Sequence, residues 1–232
     1  MEDKLKILAN REINKTLTQE LVERSLLNVI KEIANRSKNL IVLETGCGYG
    51  FFTQKVSKYC TKLYATDLFD CFPKKLKKNN TINYVSGIDA TKLIFDDNFF
   101  DVVFNIDVIE HIEDDVSFIK EAFRVLKPNG RLIIGTPNKN RLSRTILKLI
   151  CRETKYPLIL GKDPYYGKII HYREYTVEDF RSLLEKSDYQ YKLLNIDYLS
   201  FGILGRLEIN CPRFLRKYAH FLNFVVEKKV TK

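Results

Sequence analysis

At 232 residues, with 45% hydrophobic and 29% charged residues, the chain suits one α/β domain with a modest appendage and can bury a full core. Its formal charge of +10 points to an acidic partner (nucleic acid, an anionic membrane surface, a phosphorylated substrate) or to a lysine-rich solvated surface. No run reaches the roughly 18 apolar residues of a spanning helix, the start lacks a secretory signal, and five scattered cysteines without a C-x-x-C pair argue for reduced cytosolic thiols and against a metal site.

The first periodic stretch places Leu21, Val22, Leu26, Val29, Ile30 and Ile33 at helical spacing, predicting an amphipathic helix over 16–37. Residues 40–43 are an apolar run with β-branching at its centre, as in a buried parallel strand. The run ends on Glu44; Gly46, Gly48 and Gly50 then alternate with Cys47 and Tyr49 before residues 51–56 turn helical. A second strand is expected over 62–67, a short basic helix near 74–78, and third and fourth strands over 82–86 and 101–106. Residues 114–127 put Phe118, Ile119, Ala122, Phe123 and Leu126 on one helical face and stop at Pro128-Asn129-Gly130. A fifth strand over 131–136 ends at Pro137 and Asn138.

There the α/β alternation pauses. Residues 139–172 hold a helix candidate in which Leu142, Ile146, Leu149 and Ile150 stand among Arg141, Arg144, Lys148 and Arg152, then a Pro/Tyr/Gly-rich loop over 157–167. Thr176 and Asp179 have capping-box spacing for a helix running through Glu185. A sixth strand over 191–198, a short helix over 213–221 and a last strand over 224–228 complete a single expected domain, 1–232, with a lid-like insertion at 139–175.

Alternating glycines after a strand let the chain bend sharply and let a ligand approach where a Cβ would clash. The following helix start favours an anionic group; an ordinary glycine-rich turn is the plainer reading. The spacing departs from the dinucleotide fingerprint G-x-G-x-x-G, because the third position is Phe51, where close helix–strand packing wants Gly or Ala. Asp67 ends the second strand, where an acid reaches the ribose hydroxyls of an adenosine; a surface-loop aspartate is the other reading. Asp89 could accept an adenine amino group, with the Ala90 backbone at the ring edge, or cap the segment after it.

Together, E-x-G-x-G-x-G at 44–50, Asp67, Asp89, the 107–111 segment and the Leu126-Lys127-Pro128-Asn129-Gly130 turn resemble the class I S-adenosylmethionine (SAM) dependent methyltransferases over about 20–230. Val108-Ile109-Glu110-His111 and Gly135-Thr136-Pro137-Asn138 are most similar to the ubiquinone-biosynthesis O-methyltransferase branch. Residues 171–176 are similar to that branch and to methyltransferases of sugars and glycans. The resemblance implies a Rossmann-like α/β fold, a doubly wound seven-stranded sheet with the last strand antiparallel. It also implies SAM as cofactor. Gly46, Cys47, Gly48, Tyr49 and Gly50 would hold its methionine part, with Glu44 orienting the turn and meeting the amino group. Asp67 and Leu68 would meet the ribose, Asp89 and Ala90 the adenine, and Asn105 and Ile106 would lie beneath the ligand.

A hydroxyl acceptor needs a base, and His111 and His171 are the candidates; for each, a histidine that pins its loop is the alternative. Glu110 could pair with a neighbour, and Tyr165, Tyr166 and Tyr172 could line an acceptor pocket or pack the insertion. The expected acceptor is a small molecule, a lipid or quinone, or a sugar, methylated at oxygen. The basic and apolar insertion suits peripheral contact with an anionic membrane from the cytoplasm, a phosphorylated sugar, or plain packing on the core. Nucleic acid is disfavoured, since Asn105-Ile106-Asp107-Val108 stands where the amino-methylating enzymes carry Asn/Asp-Pro-Pro-aromatic. A SAM-binding regulatory protein without turnover and a nucleotide-cofactor oxidoreductase are the other readings.

Overall fold

A computed structural model describes residues 4, 7, 15–149, 154–203 and 207–230. Helix α1 (Leu17–Ala34) opens on a reciprocal cap: the Thr16 hydroxyl accepts from Gln19 N at 3.2 Å and the Gln19 side chain accepts from Thr16 N at 3.0 Å. Its apolar stripe of Leu21, Val22, Leu26 and Ile30 packs on one face of a central sheet, against Val42, Leu63 and Phe104. The strands are β1 (Ile41–Thr45), β2 (Lys62–Asp67), β3 (Ile82–Ser86), β4 (Phe100–Ile106), β5 (Leu126–Pro137), β8 (Tyr191–Leu199) and β11 (Phe221–Lys228). They lie in the order β3-β2-β1-β4-β5-β11-β8. The first five are parallel, and β11 runs antiparallel to both β5 and β8, giving the seven-stranded doubly wound α/β sheet with its last strand reversed. Helices α3 (Asp115–Val125) and α5 (Val177–Glu185) cover the opposite face with Phe118, Phe123, Phe180 and Leu184. Burial on both faces is why the parallel strands read as continuous apolar runs.

Three segments differ from the sequence-based expectation. The helix after the glycines, α2 (Thr53–Val56), is a single turn, and residues 76–78 make one turn of 3₁₀-helix. Helix α3 stops at Val125, and Leu126 is already extended in β5. Pro128 disfavours helical backbone at the residue before it, and Leu126 pairs with Phe100 of β4. Asn129, at φ +63°, therefore kinks a strand instead of ending a helix.

The expected loop over 157–167 is a hairpin of β6 (Leu158–Asp163) and β7 (Gly167–His171). Its proline and glycine mark its ends: Asp163 accepts from Tyr165 N at 2.7 Å and Tyr166 N at 3.1 Å, and Gly167 closes the turn at φ +73°. The hairpin follows α4 (Leu142–Leu149), between β5 and α5. Ile150 and Arg152, expected in α4, lie outside the described residues, as does the Lys148 side chain. An unanticipated hairpin, β9 (Phe201–Ile203) with β10 (Leu207–Ile209), precedes a 3₁₀ stretch at Arg213–Tyr218. No helix among the described residues is long and apolar enough to cross a membrane.

Candidate active site

The chain runs from β1 outward to β2 and β3, then returns to β4 on the other side of β1. That reversal opens a crevice at the carboxyl end of β1, the place where open α/β sheets bind ligands. Residues 44–50 lie there. Glu44 is buried and accepts from the Thr53 hydroxyl of α2 at 2.5 Å, tying the strand to the turn's far side. Gly46 stands at φ +71°, and a Cβ on it would lie 2.5 Å from the Val108 side chain, so no other residue fits. Gly48, at φ +52°, aims its N–H at Asp67 Oδ2, 2.8 Å away. Asp67 Oδ1 accepts from Phe69 N at 2.9 Å. Burial raises the Asp67 carboxyl above its ordinary value, against the lowering pull of these backbone donors. Leu68 beside it is exposed, whereas Cys47 and Tyr49 are buried; burial pushes the Cys47 thiol well up.

Below the turn, the Asn105 side chain donates to Thr45 Oγ1 at 2.8 Å, and its Oδ1 is buried without a protein partner. Ile106 beside it is buried. Asp89 is exposed and accepts from Thr91 N and Oγ1, both at 2.8 Å, which is the capping arrangement; Ala90 is half-buried next to it. The structure thus gathers Glu44, Gly46–Gly50, Asp67 and Asn105 around one strand end, with Asp89 on the rim.

The hairpin supplies the other wall. A Cβ on Gly48 would meet the Tyr166 hydroxyl at 2.5 Å. That hydroxyl accepts from the Cys71 thiol at 3.2 Å, while the Tyr49 hydroxyl donates to Asp163 at 3.0 Å. Tyr166 also meets Tyr49 and Phe69 edge-on at 5.6 and 5.8 Å. Its ring therefore covers the open face of the glycine turn. Tyr166 as a cover was not readable from sequence, because nothing local to 157–167 fixes what the hairpin tip touches.

Past β4, Asp107 takes φ +58° and starts the turn that carries Glu110 and His111 in a short 3₁₀ stretch. Glu110 is fully enclosed; Thr136 of β5 donates to it at 3.1 Å. Burial first, and the nearby charge of Asp107 second, push its carboxyl well up, so it favours the protonated form. His111 Nδ1 lies 2.7 Å from the Ile170 carbonyl of β7. A carbonyl only accepts, so Nδ1 carries the proton and Nε2 keeps its lone pair. Burial lowers the affinity of His111 for a second proton, outweighing the raising pull of the Ile170 carbonyl. His171 Nδ1 lies 3.3 Å from Glu174 Oε1, and the two imidazoles meet edge-to-face at 4.6 Å. Glu110, His111 and His171 each bring a polar atom within 4.8 Å of the other two, a spacing that one cation could bridge. Both candidate bases named from sequence therefore come together, joined by Glu110, though 60 residues separate them in the chain.

Residues 43–134, which span the whole of this strand-borne half, match the methyltransferase domain family. That match covers less than half of the chain, and the sheet around it has the class I methyltransferase fold. The ubiquinone biosynthesis O-methyltransferase of Pelagibacter ubique is 30% identical over 120 residues, 48% of this chain and 50% of that protein. The chain spans about half the length of the curated relatives it matches. In fold, the domain superposes on a SAM-dependent methyltransferase from Aquifex aeolicus with a TM-score of 0.57, at 17% identity over 90% of this chain and 89% of that one. It superposes on the [4+2]-cyclase SpnF with a TM-score of 0.59, at 16% identity over 94% and 85%. The cofactor that goes with the methyltransferase family is SAM. The turn fits such a group on two counts: its Cβ-free face at Gly48 is shut only by a tyrosine tip, and the buried Asn105 Oδ1 beneath it lacks a protein donor.

Proposed function

We propose that the protein is a SAM-dependent methyltransferase acting on oxygen of a small-molecule, lipid or quinone, or sugar acceptor. One observation carries the reading: a glycine turn is bonded to the acid at the end of β2, and after β4 two imidazoles are each held at Nδ1 by an acceptor, which leaves the lone pair on Nε2. When bound, the sulfonium supplies an activated methyl group, so the chain's own work is to hold, orient and exclude water. In this reading Gly46, Cys47, Gly48, Tyr49 and Gly50 receive the methionine part, with Glu44 fixing the turn from behind. Asp67 and Leu68 meet the ribose, Asp89 and Ala90 the adenine, and Asn105 and Ile106 the underside. His111 or His171 accepts the proton of the acceptor hydroxyl. The whole of 1–232 works as one domain whose insertion, 139–175, closes the site.

The lipid or quinone acceptor draws support from the Pelagibacter relative and from side chains around the insertion. Leu149 of α4, Ile159 and Leu160 of β6, and Phe214 are exposed apolar groups, and Arg213, Arg216 and Lys217 stand beside Phe214. That combination suits peripheral contact with an anionic bilayer. The oxidoreductase reading loses ground because Phe51 is buried against Phe52, filling the place a dinucleotide fingerprint keeps small.

Calorimetric titration with S-adenosylhomocysteine and with NAD separates the cofactors, and labelled SAM incubated with lipid, glycan and metabolite fractions identifies the acceptor. Asp67→Ala is expected to weaken S-adenosylhomocysteine binding about 10- to 100-fold, the loss of a charge-assisted hydrogen bond. Unchanged affinity in that variant removes the ribose assignment.

A further inference from the structure

We propose that Glu174 is the positioning residue that fixes His171 as a proton acceptor, an inference that rests on the methyl-transfer reading above. Glu174 follows β7, and its side chain is 0% exposed. Arg141, just before α4, grips it with two bonds, Nη1 to Oε2 at 2.5 Å and Nη2 to Oε1 at 2.8 Å, and Arg144 of α4 adds a contact to Oε1 at 3.4 Å. Tyr156 also donates to it. Burial alone would raise this carboxyl; the bonds from His171 and Arg141 outweigh burial and hold it well below the ordinary carboxylate range. An ionised carboxylate has no proton to give, so the Nδ1 that faces it at 3.3 Å is the donor. The proton of the neutral ring is thereby confined to Nδ1, and Nε2 is left with its lone pair.

Among the described residues, titratable and charged groups face His171 from two sides. Glu174 faces it from its own segment, with Arg141, Arg144 and Tyr156 behind Glu174. Across the ring stand His111 and Glu110 of the turn after β4, with Asp107 acting on Glu110. His111 is anchored by a backbone carbonyl, which orients it but brings no countercharge. Glu174 does bring one, so an imidazolium formed on His171 faces a carboxylate across its Nδ1–H bond. In the reaction, the acceptor hydroxyl proton passes to His171 Nε2. The oxygen–methyl bond forms as the methyl–sulfur bond breaks, and that bond's electron pair stays on sulfur. The imidazolium keeps its Nδ1 proton on the Glu174 bond and releases the other to water.

Long-range ¹H–¹⁵N NMR of the full chain, labelled at its 3 histidines, reads which nitrogen holds each proton without cofactor or acceptor. His111→Gln and His220→Gln assign the signals. In the wild type, His171 is expected to carry its proton on Nδ1. Glu174→Gln is expected to move it to Nε2: the guanidinium donors claim the amide oxygen at the closer Oε2 position, turning the NH₂ toward His171. Glu174→Asp is expected to keep the proton on Nδ1. A role confined to anchoring α4 predicts the same tautomer in all three. The proposal is overturned by an Nε2–H tautomer in the wild type, by an unchanged tautomer in Glu174→Gln, or by a His171 signal that shifts when chelator strips a cation from the cluster. Should Glu174→Gln not fold, the wild-type and Glu174→Asp spectra decide. Wild-type protein that binds no S-adenosylhomocysteine overturns the methyl-transfer reading and the proton's destination with it, whereas the tautomer assignment stands or falls on the spectra.

Discussion

Two halves of the molecule build the site in different ways. The carboxyl ends of β1, β2 and β4 hold Glu44, Asp67 and Asn105 on strands buried from both faces, where parallel pairing fixes each position. The hairpin of β6 and β7 is a two-stranded sheet of its own, with Ile159 and Leu160 exposed, and it reaches the first half through two side chains and a backbone carbonyl. Tyr166 on Gly48, Asp163 on the Tyr49 hydroxyl and Ile170 on His111 are those contacts. A strand-borne site is set by the core and changes only with it; a hairpin-borne one rests on a few polar bonds that can open locally. The strand-borne half is thus fixed by the core, and the half that covers it and supplies His171 rests on fewer contacts.

Substitutions in each half sharpen this contrast. The largest effect is expected for Gly46→Val, which combines a left-handed backbone with a Cβ 2.5 Å from Val108. It should cost about 3 kcal/mol in chemical denaturation, and abolish S-adenosylhomocysteine binding in calorimetry, because the strand end cannot yield. A mild phenotype would show that the turn is softer than its burial suggests.

Tyr166→Ala acts on the hairpin half in the opposite direction. Removing the ring over Gly48 takes away a competitor for the turn's open face, so S-adenosylhomocysteine should bind about 3- to 10-fold tighter, by the fraction of closed molecules relieved. Weaker binding would make the tyrosine part of the ligand's wall.

The smallest effect is expected where the halves meet. Glu110 has its folded-state carboxyl raised by burial, so its stabilising contribution is full below the ordinary carboxylate range and is lost as pH rises through the raised value. Glu110→Gln keeps an acceptor for the Thr136 hydroxyl and removes that loss. Urea melts should show it about 1 kcal/mol more stable than wild type at pH 8 and close to it at pH 4. Glu174, held low by Arg141 and His171, works in the other sense and loses its contribution only as pH falls below the ordinary range. Equal stability of the Glu110 variant and wild type at pH 8 would mean that burial does not raise the Glu110 carboxyl.

Much of the strand-borne half was legible in the sequence. Residues 62–67 and 82–86 are strands at the expected bounds, and Thr176 caps its helix as its spacing required. Apolar runs, capping boxes and glycine turns act between neighbours along the chain, so they survive translation into structure. The single-turn α2 and the early end of α3 were missed because packing at a strand edge overrode local helix signals. In the hairpin, proline and glycine marked its ends, while the intervening residues carried too little alternation to announce strands.

By itself, then, the sequence determined the order of the sheet's elements, the glycine turn, and the acids at the strand ends, since those depend on residue spacing and backbone stereochemistry. It also held His171 and Glu174 three residues apart without saying which way either faced. Only the tertiary structure decided that Tyr166 lies on Gly48, that Arg141 and Arg144 enclose Glu174, and that His111 and His171 share one space. Those contacts join residues 30 to more than 100 positions apart, and no local preference specifies them; the packing of the late segments against an already determined sheet does.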